Sequence, residues 1–128
     1  NRYKESKAGK NITEGSINRW FTKNYLKENP NVYNFFFKLL ENKKNEDFIP
    51  AYKVFVESDK NKLDLSNFDM PTLIMTGENE IGSTPKMSEE LNKDINNSIL
   101  YIVKDAKHGA TIEKANDVNE QLVKFLFN

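Results

Sequence analysis

No cysteine occurs in this sequence of 128 residues, which excludes a disulfide framework, a thiolate metal site and a cysteine nucleophile. The same lack fits a reducing compartment such as the cytoplasm. An excess of either charge is also missing: nineteen basic residues balance nineteen acidic ones, so no net field draws the chain to nucleic acid or to an anionic membrane surface. No apolar run approaches the roughly 20 residues of a membrane span, and no signal-peptide pattern opens the chain. Histidine is reduced to one, His108, and a lone imidazole among scattered carboxylates has no metal-ligand spacing. Internal repeats and low-complexity segments are absent. Arginine is scarce, two residues against seventeen lysines, a bias that points to no mechanism. No methionine opens the chain, and its first residues, "NRYKESKAGKN", read as the interior of a helix or linker, so the chain is expected to be a piece of a longer one.

What remains is enough for one domain with a modest core, given 38% apolar residues and a mean hydropathy of -0.73. From Ile12 to Val56 the apolar residues fall at helical spacing. In "NPNVYNFFFKLLEN" Asn29 is placed to cap and Pro30 to open a helix, with Val32, Phe36, Leu39 and Leu40 on one stripe that Phe35 and Phe37 widen, so a buried helix is expected. Phe48, Tyr52, Phe55 and Val56 mark another helix, in which Pro50 is tolerable only near the start.

From Pro71 the period changes. "PTLIMTG" and "SILYIVKD" are short apolar runs bounded by turn residues, the pattern of parallel strands buried on both faces. Between them "STPKMSEELNKDI" has Thr84 as cap, Pro85 at the first helical position and Met87, Leu91 and Ile95 on one side. Ser83 and Thr84 are therefore read as capping residues, not nucleophiles. A closing helix follows, with Asn116 or Asp117 as cap and Val118, Leu122, Phe125 and Leu126 on one face. The expected architecture is α/β: a helical segment over residues 1–60, then strand, helix, strand and helix over residues 61–128.

A strand-helix-strand crossover joins parallel strands, so both carboxyl ends reach the same edge, where open α/β folds place their chemistry. The loops leaving that edge are "GENEIGS" and "KDAKHGA". With neighbouring strands about 4.8 Å apart, an acidic side chain of the first loop reaches the imidazole of His108. Such a carboxylate fixes the imidazole tautomer and stabilises the imidazolium formed when the other nitrogen takes a proton. Position alone leaves the bland readings open: a loop histidine on the surface, solvated carboxylates at Glu78, Glu80 and Asp105, and a Glu113 that pairs or merely faces water.

"PTLIMTGENEIGSTPKMSEELNKDI" and "KHGATIEKANDVNEQLVKFL", with "RWFTKNY" ahead of them, resemble the carboxyl-terminal part of α/β-hydrolase-fold enzymes, in particular 3-oxoadipate enol-lactonases and related esterases. The resemblance implies that His108 is the base and Glu80 the acid of a Ser-His-acid triad, although most of the family has aspartate there. It implies that residues 1–60 form a cap whose Trp20 and Phe21 approach the substrate, a small-molecule ester, lactone or similar carbonyl compound, and that no cofactor is used. The family's nucleophile sits on a G-x-S-x-G elbow, and none of Gly9, Gly15, Gly77, Gly82 and Gly109 frames a serine in that way. The chain is thus expected to lack the nucleophile with the N-terminal part of the hydrolase, to be inactive alone, and either to self-associate through an exposed sheet edge or to fold its cap helices over the exposed sheet. A non-catalytic binding domain that keeps the fold is the other reading.

Overall fold

The computed structural model describes residues 12–42, 45–58, 64, 65 and 67–127. The opening stretch, the division between residues 60 and 61 and the side chain of Phe55 lie outside the described residues. Among the described residues four helices come first: α1 (Thr13–Trp20), α2 (Lys23–Glu28), α3 (Pro30–Glu41) and α4 (Asn45–Ser58). Then follow β1 (Thr72–Gly77), α5 (Pro85–Asp94), β2 (Ser98–Val103), the single turn α6 (Ala110–Glu113) and α7 (Ala115–Phe127). The helical first half and the β-α-β-α second half agree with the expected architecture.

The strands pair in parallel, with Thr72 opposite Ser98 and Gly77 opposite Val103, so both end on the same line. Helix α5 crosses between them and packs on both. It starts where the sequence says it should: the Thr84 side chain accepts from the Met87 N–H at 3.3 Å, and Pro85, which has no N–H to leave unpaired, takes the first position. Val103, Ala106, Ala110 and Val118 form a buried cluster under the second loop, joined by the half-buried Met75 and Tyr101. In the helical half, α1 and α2 pack on α3, with Ile17 and Phe21 buried and the Phe36 ring meeting Trp20 and Phe21 at 5.6 and 5.3 Å between centroids.

Several local expectations are corrected. Helix α3 buries no residue fully, and Phe35 and Leu39 lie open to solvent, so its wide apolar face is only partly covered. Met87 and Leu91 of α5 are exposed, leaving Ile95, just past the helix end, as the buried member of that row. Ile99 of β2 is exposed as well, so the strands are not covered on both faces. Asn29 does not cap α3: its side-chain N–H donates at 3.0 Å to the Tyr25 carbonyl at the end of α2. Neither Asn116 nor Asp117 caps α7, which begins at Ala115; Asp117 instead accepts from the Tyr101 hydroxyl at 2.7 Å, tying helix to strand. Pro50 stands inside α4 as its sixth residue.

Candidate active site

Two loops leave the aligned strand ends and interlock. The Glu78 N–H donates to the Val103 carbonyl at 2.9 Å, and the Asn79 N–H to the Ala106 carbonyl at 2.8 Å. Gly77 makes this approach possible, because a Cβ there would overlap the carbonyls of Ala106 and Lys107. Glu78 faces the second loop's backbone, accepting from the Asp105 N–H at 3.1 Å. Glu80, two residues on, turns the other way.

Its carboxylate is the buried partner of the histidine. Glu80 Oε2 lies 2.6 Å from His108 Nδ1, with the Glu80 side chain 2% exposed and the imidazole 48% exposed. The other oxygen, Oε1, accepts from the Gly82 N–H at 2.5 Å and stands 3.5 Å from a guanidinium nitrogen of Arg19. Burial pushes the Glu80 carboxyl up, but the Gly82 N–H, the neighbouring imidazole and the Arg19 charge together outweigh it and hold the group below its ordinary value. An acid so held stays ionised and accepts a hydrogen bond from Nδ1–H, which leaves Nε2 as the imidazole's basic nitrogen.

A cavity of about 200 Å³ opens beside the pair, with Met75, Thr76, Ser83, Lys107 and Val118 in its wall. A wider, open cleft of about 770 Å³ runs past Thr22, Tyr25, Asn79 and Glu113 and includes neither Glu80 nor His108. Glu80 and His108 both line the smaller space.

The helical half closes on the histidine loop. The Gly109 N–H donates to the Trp20 carbonyl at 2.6 Å, and the Phe21 ring rests so close on Gly109 that a Cβ there would overlap it. Phe21 is 1% exposed and is thus a packing residue in this chain, whereas Trp20 is half-buried. Lys107 Nζ donates to the Asn18 carbonyl at 2.7 Å. Glu113 is buried and accepts from the Thr22 N–H at 3.1 Å, from the Thr22 hydroxyl and from the Lys107 N–H at 3.4 Å. It pairs with no cation among the described residues and fastens helix to loop. Arg19 and Gly82 are the residues that sequence reasoning passed over at this site. Thr84 caps α5 as expected, whereas Ser83 does not cap it; the Ser83 carbonyl accepts from the Thr76 hydroxyl at 2.9 Å. Among the described residues no group of three or more histidine, cysteine, aspartate or glutamate side chains could hold a metal ion. No helix among them is long and apolar enough to cross a membrane.

Parallel strands joined by a helix, with an acid-histidine pair at their shared end and helices folded over it, define the carboxyl-terminal half of an α/β-hydrolase fold. The enol-lactonase from Burkholderia xenovorans LB400 is a solved structure of this kind, similar over 99% of the present chain at a TM-score of 0.83 and 22% sequence identity. The present chain spans 49% of that protein's chain. No family model and no curated protein matches the sequence.

Proposed function

We propose that this chain is the cap and carboxyl-terminal part of an α/β-hydrolase-fold enzyme that hydrolyses a small ester, lactone or similar carbonyl compound. The observation that carries this reading is the buried, ionised Glu80 carboxylate 2.6 Å from Nδ1 of a half-exposed His108. The nucleophile is a serine from a part of the longer polypeptide outside these 128 residues. Its Oγ attacks the carbonyl carbon as its proton passes to His108 Nε2, and Glu80 stabilises the imidazolium. Collapse of the tetrahedral intermediate breaks the bond to the leaving oxygen, which takes the proton from Nε2. Water, activated by the same nitrogen, then releases the acyl group. Trp20 and Phe21 stand on the cap side, Trp20 toward the substrate and Phe21 packed against Gly109 of the histidine loop.

The likeness to an enol-lactonase supports a hydrolase, and the residue pair supports the triad. The test uses the polypeptide encoded by the whole reading frame that contains this chain, assayed for turnover of short p-nitrophenyl esters and for labelling by a fluorophosphonate. We expect both, with His108→Ala lowering kcat by about 10⁴-fold, and no turnover by the 128-residue chain alone. Undiminished turnover in His108→Ala would remove the base from its role, and a full polypeptide that neither labels nor turns over esters would favour the binding domain.

A further inference from the structure

A glutamate that must present one oxygen to a partner has three side-chain torsions to fix, and each left free costs entropy and geometry. In this chain Oε2 of Glu80 serves His108, so the orientation of the carboxylate depends on what holds Oε1. Two groups do so: the Gly82 N–H of its own loop, at 2.5 Å, and the Arg19 guanidinium of helix α1, at 3.5 Å. The contact with Arg19 is an ion pair more than a tight hydrogen bond, but both partners are withdrawn from water, with 22% of the arginine side chain exposed and 2% of the glutamate. The chain also makes room for it. A Cβ at Gly82 would overlap Arg19 Nη2, so the guanidinium occupies the space that a side chain would otherwise fill.

Arg19 is itself firmly based. It lies between Asn18, whose carbonyl accepts from Lys107 Nζ, and Trp20, whose carbonyl accepts from the Gly109 N–H. Ile17 and Phe21 on either side are buried. The other charged groups nearby are turned elsewhere: Lys107 to Asn18, Glu78 to the Asp105 N–H, and Glu113 to Thr22.

We propose that Arg19 is a positioning residue for the acid-histidine pair: seated over Gly82, it holds Oε1 of Glu80 so that Oε2 stays on His108, and so ties assembly of the pair to docking of helix α1. The inference rests on the reading of His108 as a base held by Glu80. A spectator cation and a positioning cation differ in what their removal does: losing a spectator leaves the Nδ1–H to Oε2 bond intact, whereas losing a positioning cation weakens it.

The single histidine gives one set of imidazole resonances, which makes the test direct on the 128-residue chain. NMR spectra of wild type, Glu80→Gln, Arg19→Met and Gly82→Ala are compared at one pH, with circular dichroism as the check on folding. We expect Glu80→Gln to abolish the downfield imidazole N–H resonance of the Nδ1–H to Oε2 bond, and Arg19→Met and Gly82→Ala to weaken it by part of that loss. Should Arg19→Met unfold, Arg19→Lys, which keeps charge and stem but loses the planar fork, carries the test on the same readout with an intermediate loss expected. An undiminished downfield resonance in the Arg19 variant, while Glu80→Gln loses it, overturns the positioning role and leaves the pair standing. A silent Glu80→Gln overturns the pair, and the positioning role with it.

Discussion

Glu80 is buried, and burial by itself favours the neutral carboxylic acid; the Gly82 N–H, His108 and Arg19 reverse that preference. The sign of the resulting pH dependence is fixed. A carboxyl whose folded pKa lies below its unfolded value adds stability that is fully present above the unfolded value and is lost as pH falls through the folded one. The ordinary value is 4.5, so the stability advantage of wild type over Glu80→Gln should narrow as pH is lowered below that point. Urea unfolding of both proteins at a series of pH values from neutral down to about 3 measures the gap, and a gap that stays constant across this window would mean that Glu80 does not titrate as described. At this scale the sequence was partly legible. His108 is conspicuous because it is unique and follows a strand, and Glu80 because its loop leaves the neighbouring strand. Arg19 was hidden in a lysine-rich composition and on a different helix, where no spacing rule connects it to Glu80. Its one trace was to be one of two arginines among so many lysines.

Among the elements, α5 is the one whose construction follows most directly from its residues. Thr84 supplies the oxygen for the Met87 N–H and Pro85 the first helical φ. Thr84→Ala should cost about 1 kcal/mol of stability, and Thr84→Ser much less, since the capping oxygen survives; chemical denaturation of the two variants separates a lost cap from a lost methyl. Such local devices were readable because both partners lie within a few residues. The strands were readable for the same reason, as compact apolar runs ending at Gly77 and Val103. What could not be read was which apolar face finds a cover. Phe35 and Leu39 on α3, and Met87 and Leu91 on α5, have the spacing of core residues yet stand in solvent, because burial depends on neighbours that periodicity does not specify. Asp117 misled in another way: its position suits a cap, but the Tyr101 hydroxyl on β2 claims its carboxylate.

Taken whole, the molecule has a two-stranded parallel sheet among its described residues, with Ile99, Val123 and Leu126 exposed in the same half. Two parallel strands leave backbone donors and acceptors along their outer edges, and exposed apolar side chains beside them favour contact with another chain. We expect the chain alone to self-associate, seen as a concentration-dependent rise in sedimentation coefficient that Ile99→Lys reduces. A monomer at every concentration, with little binding of a hydrophobic dye, would overturn this. The clasp between the two halves carries a different consequence. Thr22 meets Glu113 across 91 positions of the sequence, and Lys107 meets Asn18 across 89. Contacts so distant along the chain form only after large loops have closed, which places them late on the folding route and slows it. The imidazole, held in the middle of that clasp, is therefore among the last groups of the protein to acquire its working environment.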